Sequence, residues 1–524
     1  MAAKFELTDD QVVVIIGSGA GGGTLAHELA RKKVKCVLLE AGKHFTQTDF
    51  ENDEWNMFAK ISWLDKRVAT GSWPLAKMQP NLPAWTVKGV GGTTIHWAGV
   101  SLRFQPHEMK ARSTYGNKKG LNLLDWPLQY EELAPFYDLA EKKLGVAGTK
   151  ASGLPALPES NHYKVIAAGA RKIGYKQIGR PLAINSKAYD DRPQCRQIGF
   201  CLQGCAIGAK WSSLYTDVPR AVDSGYVELR AESTVLKIEH DRSGKVSGVV
   251  YVDSQGRRQL QKARAVCVAG NSIESPRLLL NSETSKYPNG LANSSGQVGK
   301  NYMCHSTSFG FAIHKKPVYM YRGSAASAII SDEAGNNPER GFTGGYYIEG
   351  LSFGLPFVSA FMMPGQWGRD VTSALDLYDH MTGMIVVGED EASEANAVSL
   401  HSSEKDQYGM PIPVVSKSFT SNDDAISKHG FRQWKALSEA VGATRVIEMP
   451  STPSAHNMGT NRMSDKPRDG VVNKWGQSHD IKNLFISDGS QFTSSGACNP
   501  TLTIVALAIR QAGYIAESLQ RREI

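Results

Sequence analysis

The segment from Gln11 to Glu40 limits the fold more than any other part of the chain. Gln11–Ile16 (QVVVII) is a continuous run rich in β-branched residues, the pattern of a strand buried on both faces. Gly17-Ser-Gly-Ala-Gly-Gly-Gly follows at once, then a helical pattern over Thr24–Lys32 and a second apolar strand over Lys35–Leu39 that ends in Glu40. Strand, crossover helix and second strand form a βαβ unit, so the fold class is α/β with a parallel sheet. Gly17, Gly19 and Gly22 spell G-x-G-x-x-G in the first turn. Gly17 allows the tight turn, Gly19 lets a pyrophosphate approach the backbone, and Gly22 permits close helix–strand packing. The helix N-terminus then offers unpaired N–H groups to phosphates. A carboxylate at Glu40 accepts hydrogen bonds from ribose hydroxyls and repels a 2′-phosphate. A Gly-rich turn without a ligand would not need all of these parts to agree. The fingerprint alone does not separate NAD from FAD; its place at the start of a long, discontinuous chain favours tightly held FAD.

At 524 residues the chain exceeds the roughly 250–300 at which single cores stop growing, so more than one domain is expected. Its apolar content of 41% excludes disorder. The net charge of +8 is diffuse, with no block of like charges. A nucleic-acid or membrane tail is therefore not indicated; the charge suits plain solubility first, or docking of an acidic partner protein. Apolar stretches such as Ile504–Ile509 fall far short of the roughly 20 residues of a membrane span. Met1–Asp10 is polar, so no signal peptide of the chain's own is expected.

Phe45–Pro83 reads as a long surface excursion and residues 151–160 as a linker. Strands are expected within Val227–His240, Val246–Asp253 and Ala263–Ala269, with a helix opened by Ser275-Pro276. Between about 310 and 450, aromatic and β-prone segments alternate with Gly-rich turns (GFTGGYYIEG, LSFGLPFVSAFMM), which predicts an antiparallel sheet in a second domain. A strand over Asn483–Ser487 and a helix over Thr501–Gln520 return to the first style. The expected division is 1–110, 190–310 and 450–524 for the dinucleotide-binding domain, with 111–189 and 311–449 for a substrate domain and excursions.

Four further segments, KGVGGTTIHW (88–97), ARAVCVAGNSIESPRLLL (263–280), PSAHNMGTNRM (453–463) and NLFISDGSQFTSSGACNPTLTIVA (483–506), resemble in order and character the glucose–methanol–choline (GMC) family of FAD oxidoreductases. The resemblance covers most of the chain. GGTTIHWAG, RFQPHEMK and DWPLQYEELAPFYDLAE are similar to the branch holding the large subunits of bacterial sugar dehydrogenases. The resemblance implies a Rossmann-like FAD-binding domain with an antiparallel-sheet substrate domain, the GMC fold. It implies that Gly91, Gly92, Thr93 and Thr94 lie against the flavin. Val235 would meet the adenine through its backbone, and Asp488 would sit by the pyrophosphate or ribityl chain. Thr501 would place a helix N-terminus near the flavin pyrimidine, where negative charge develops on reduction. His96, before Trp97, carries a covalent flavin link in some relatives and none in others; covalency stays open.

His456 and Asn499 match the family's two active-site positions. Oxidising a secondary alcohol removes the hydroxyl proton while a hydride leaves the carbinol carbon. A neutral imidazole takes that proton at working pH, and an amide hydrogen-bonds the same oxygen and orients the C–H bond. The family often has Cys where Asn461 stands and Asp-His where Cys304-His305 stands, so the surroundings of the site differ here.

Of seven cysteines, Cys36, Cys267, Cys304 and Cys498 read as buried thiols, and the odd count argues against a disulfide framework. Cys195, Cys201 and Cys205 are spaced C-x5-C-x3-C. Thiolates suit zinc or iron–sulfur clusters; three reduced structural thiols are the plain alternative. The sugar-dehydrogenase branch holds a 3Fe-4S cluster on a similar run, and its usual extra Cys is Arg196 here. A cluster would give electrons an exit that an oxidase does not need.

The expectation is an FAD-dependent sugar or glycoside dehydrogenase, by first choice of carbon 3 of glucosides, with a cluster relaying electrons to a cytochrome c acceptor. By resemblance it works in the periplasm beside a small subunit that carries the export signal. The other readings are a glucose 1-dehydrogenase or gluconate 2-dehydrogenase large subunit, an oxygen-using oxidase, and a non-catalytic electron-transfer flavoprotein.

Overall fold

The computed structural model describes residues 4–53, 56, 69–71, 86–352, 367–449 and 451–524. Most of the expected excursion over 45–83, and most of the segment 351–363, lies outside these residues.

A five-stranded parallel sheet runs in the order Leu484–Ile486, Ala265–Val268, Val13–Ile16, Cys36–Leu39 and Val227–Arg230. Every residue of its first four strands is buried, which is why those segments read as unbroken apolar runs. The helix after the first strand spans Ala20–Arg31, so it begins inside the glycine run and not at Thr24. Glycine is a poor helix former, and packing overrides that here. A Cβ on Gly21 would lie 1.7 Å from Ser487 O, and one on Gly22 1.9 Å from Gly17 O. Gly17 itself has φ +98°, open to glycine at no steric cost.

The helix expected to open at Ser275-Pro276 starts earlier, at Asn271, and runs to Asn281 with Pro276 inside it. Asn271 Oδ1 accepts the N–H groups of Ile273 and Glu274. Pro276 has no N–H for the Ser272 carbonyl four residues back. That carbonyl accepts from Thr460 Oγ1 at 2.9 Å instead.

The second sheet is antiparallel and has seven strands. Its path is Ala443–Glu448, Met303–His314, Met381–Gly388, Tyr346–Leu351, Ala326–Ile330 and Ile178–Gly179; Thr452–Met458 also pairs with Met303–His314. Strand Met303–His314 crosses the expected boundary at 310. One face carries Ala312, Ile348, Met384 and Val386 and packs on helices Asn161–Lys172 and Ser421–Ala440. The other face, one residue out of step, carries Phe309, Leu351, Ile385 and Val387. Helix Thr501–Gln520 has the span expected from sequence. It is long and apolar enough to cross a membrane by length and composition, yet 72% of that stretch is buried. It packs against helices Ala20–Arg31 and Tyr130–Leu144 as a core helix.

Candidate active site

A cavity of about 1010 Å³ runs between the two large sheets, from the Gly17–Gly21 turn to His456 and Asn499. Gly17, Gly19, Glu40, Gly92, Thr93, Thr94, His96, Trp97, Val235, Asp488 and Thr501 also line it. Gly22 and Gly91 do not; they shape the backbone behind it. Gly91, at φ +100°, donates its N–H to Ser18 Oγ, and Thr94 Oγ1 donates to Gly91 O.

At one end, Glu40 Oε2 accepts from the Ser18 N–H and hydroxyl, and Oε1 from Gly42 N. Burial pushes this carboxyl up, and these hydrogen bonds oppose the shift. Val235 begins an irregular step in its strand, where the register shifts before Lys237. Asp488 does more than line the cavity. It accepts from Asn271 N, Ser275 Oγ and Ser490 N, tying the start of helix Asn271–Asn281 to the last strand of the parallel sheet.

The cradle fits a dinucleotide. Gly19 and Gly92 face each other so closely that a Cβ on Gly92 would lie 3.0 Å from Gly19 Cα. The helix Ala20–Arg31 has no side-chain cap on its first N–H groups. Helix Thr501–Gln520 likewise starts uncapped by any side chain, directly after Asn499-Pro500.

At the other end three side chains form a chain of hydrogen bonds. His305 Nε2 lies 2.9 Å from Gly496 O. A carbonyl only accepts, so that nitrogen carries the hydrogen and the lone pair of neutral His305 sits on Nδ1. His456 Nδ1 lies 2.9 Å from His305 Nδ1 and therefore donates to it. The lone pair of His456 is thereby assigned to Nε2, which faces Asn499 Nδ2 at 3.4 Å. Burial lowers the pKa of His305 to about 4. Burial, and then His305, hold His456 well below 6.5. Both rings are neutral near pH 7, so the site presents one unprotonated imidazole nitrogen.

Residues the sequence did not single out hold this chain in place. Glu108 Oε1 accepts from Ala497 N and its carbonyl from Ser494 Oγ, fixing the loop that ends in Asn499. Asp390 forms a fully buried ion pair with Lys417 at 2.6 Å and accepts from the N–H of Cys304, the neighbour of His305. Glu108 lies within RFQPHEMK, where a Glu beside apolar Met109 was the available signal. Nothing local in sequence pairs Asp390 with Lys417.

Cys195, Cys201 and Cys205 are all free and half-buried, and none of them lines the cavity. Each sulfur accepts a backbone N–H, from Gln197, Ala325 and Lys210 respectively. Their sulfurs do not all come within 4.8 Å of one another. As placed they do not form a mononuclear zinc site, whose thiolates would sit about 3.8 Å apart. Burial pushes the Cys195 thiol up to about 12. The loop is bonded to the cavity wall: the side chains of Leu202 and Gln203 line the cavity, and His96 Nδ1 hydrogen-bonds Leu202 O at 3.0 Å. Buried Lys210 Nζ donates to the carbonyls of Ile95, Trp97 and Cys201.

Comparison with known proteins accords with this geometry. Two family models described as GMC oxidoreductase match residues 64–307 and 392–508, and one for an NAD(P)-binding Rossmann-like domain matches 15–55. The chain is 31% identical to 2-methyl-1,2-propanediol dehydrogenase of Mycolicibacterium austroafricanum, over 97% of this chain and 95% of that one. It is 30% identical to the fructose dehydrogenase large subunit of Gluconobacter japonicus, over 97% and 98%. The crystal structure of a pyridoxine 4-oxidase from Mesorbium loti superposes with a TM-score of 0.66 over 97% of this chain and 99% of that one, at 15% identity, and shares the fold. The chain belongs to the GMC family of FAD-dependent oxidoreductases.

Proposed function

We propose that this chain is the catalytic subunit of a sugar or glycoside dehydrogenase, oxidising a secondary ring hydroxyl, by first choice at carbon 3 of a glucoside. The observation that carries the reading is the hydrogen-bond chain Gly496–His305–His456–Asn499 at one end of the cavity. It delivers a lone pair on His456 Nε2 beside an amide donor, the two groups that alcohol oxidation needs. FAD, when bound, supplies the two-electron acceptor; Gly17, Gly19, Glu40, Gly92, Thr93, Val235, Asp488 and Thr501, which line the cavity, would hold it.

His456 Nε2 accepts the hydroxyl proton. His305 keeps the ring in the tautomer that can do so, and the developing imidazolium retains its Nδ1–H bond to His305. Asn499 Nδ2 donates to the substrate oxygen and fixes the carbinol C–H direction. Phe309, Leu351, Ile385 and Val387 close the cavity with apolar surface and exclude water.

Cys195, Cys201 and Cys205 would hold a 3Fe-4S cluster in this reading. Support comes from the three N–H···S bonds and from Leu202 and Gln203, which connect that loop to the cavity. The cluster would supply one-electron steps toward a cytochrome c subunit in the periplasm, reached with a small subunit bearing the export signal. A net charge of +8 suits docking to acidic partner surfaces.

The test is anaerobic flavin bleaching by methyl α-glucoside, with glucose as comparison. Its anomeric hydroxyl is blocked, so bleaching by the glucoside supports oxidation elsewhere on the ring. Bleaching by glucose alone assigns a glucose 1-dehydrogenase, and bleaching by neither overturns the reading.

A further inference from the structure

Among the described residues, the cavity wall built by the antiparallel sheet contains one carboxyl. Phe309 pairs with Ile385, and Ile385 pairs with Glu349, so these three side chains form a single row across three strands. Leu351 and Val387 stand beside the row on the same face, and all five line the cavity. Among these strand residues Glu349 is the polar one. It is 3% exposed, and its Oε1 has no hydrogen-bond partner. Asn499 lies beside it and lines the same cavity, and its own Oδ1 is also buried and unpartnered. A buried polar atom left unpaired is destabilising, and an apolar residue would fill this row without that cost.

We propose that Glu349 is the substrate-discriminating side chain of this site, and that the cavity selects a vicinal diol. One hydroxyl lies at His456 and Asn499 and its neighbour at Glu349. This rests on the assignment of His456 and Asn499 as the reacting end. The two orphan oxygens sit on neighbouring side chains of one cavity, so a ligand with adjacent hydroxyls reaches both. Burial raises the Glu349 pKa to about 8, so its carboxyl is a neutral acid at pH 7. That group both donates and accepts, which suits an uncharged hydroxyl. A site built to hydrogen-bond a hydroxyl rejects the analogue lacking it far more strongly than an apolar pocket rejects a size change.

The experiment compares trans-1,2-cyclohexanediol with cyclohexanol as probes of the FAD-loaded protein. Dissociation constants are read from flavin fluorescence in the His456→Ala variant, where turnover does not interfere. The diol is expected to bind at least about tenfold more tightly than the monol. Adding Glu349→Leu should bring the two within about twofold. Glu349→Gln still presents a donor and an acceptor and should keep the preference; it also covers failure of the leucine variant to fold. A preference unchanged in Glu349→Leu, or absent with Glu349 in place, overturns the proposal. Flavin reduction by the diol is measured separately in the protein with His456 intact. Retained binding preference without reduction would overturn the catalytic reading and leave the diol site standing.

Discussion

Replacing His305 with phenylalanine removes the acceptor for His456 Nδ1–H while keeping a ring of similar size in a fully buried position. The Gly496 carbonyl keeps a donor within reach, because Ser495 Oγ, whose one hydrogen is shared with Asp390 O at 2.9 Å, lies 2.8 Å from it. The newly unpaired group is therefore His456 Nδ1–H itself. An unsatisfied buried donor costs about 1–3 kcal/mol, and the ring escapes that cost by moving its proton to Nε2, where Asn499 and the substrate need a lone pair. The fraction of His456 in the productive tautomer then falls by about 5- to 150-fold at 1.36 kcal/mol per decade. Anaerobic stopped-flow reduction of the bound flavin should slow by that factor at saturating substrate, with little change in the half-saturating concentration. His305→Asn, whose Oδ1 stands near the original Nδ1, should recover most of the rate. A His305→Phe protein that binds FAD, melts like its parent and reduces within twofold of it would refute the tautomer argument.

Other measurements test other parts. The buried Asp390–Lys417 pair should lose about 3–5 kcal/mol of stability in Lys417→Met, because the carboxylate stays buried without its partner; denaturant unfolding of the holoprotein reads this. Gly21→Ala should yield protein without bound flavin, since its Cβ would collide with Ser487 O at 1.7 Å; normal flavin absorbance would disprove the packing argument. The flavin-reduction rate should stay flat as pH falls from about 7 to about 6, across the 6.5 at which an unperturbed histidine would have lost half its base, because both rings of the pair have lowered pKa values. The same shift works against stability in acid. The unfolded chain takes up protons below about 6.5 that folded His305 refuses until about 4, so folding free energy declines across that window; melting temperatures over this pH range check it. Cys205→Ser should leave substrate-driven bleaching of the flavin intact and abolish reduction of cytochrome c, with iron and acid-labile sulfide analysis as control.

The parallel sheet was legible because its strands are buried on both faces, which leaves uninterrupted apolar runs. Helix Thr501–Gln520 was legible as a long apolar pattern with a clear start after proline. The misjudged helix starts share one cause. At Gly21 the sequence carries a helix-breaking residue whose reason is Ser487, hundreds of residues away, and at Gly22 the reason is the Gly17 carbonyl in the folded turn, with Ala269 behind it. At Pro276 the missing donor is replaced by Thr460, which no local window contains. The same holds at the site. His456 and Asn499 stood out through their motifs, whereas His305 became interpretable only once Gly496 and His456 were seen on either side of it. Glu349 had a faint signal, a carboxylate inside the strand YYIEGL, yet its direction depends on register with Ile385.

The two walls of the cavity come from different sheets, and that division has an evolutionary consequence. The dinucleotide turn, Asp488 and the N-terminus of helix Thr501–Gln520 belong to the parallel sheet and its helices, where nearly every atom is locked against another. The row Phe309–Ile385–Glu349 stands on the cavity face of an antiparallel sheet whose opposite face packs on helices Asn161–Lys172 and Ser421–Ala440. Side chains in that row bear on the cavity, and the helices on the opposite face pack against other residues of the strands. A lineage can thus trade one hydroxylated substrate for another by drift in a few alternate strand positions, while the redox machinery is inherited unchanged.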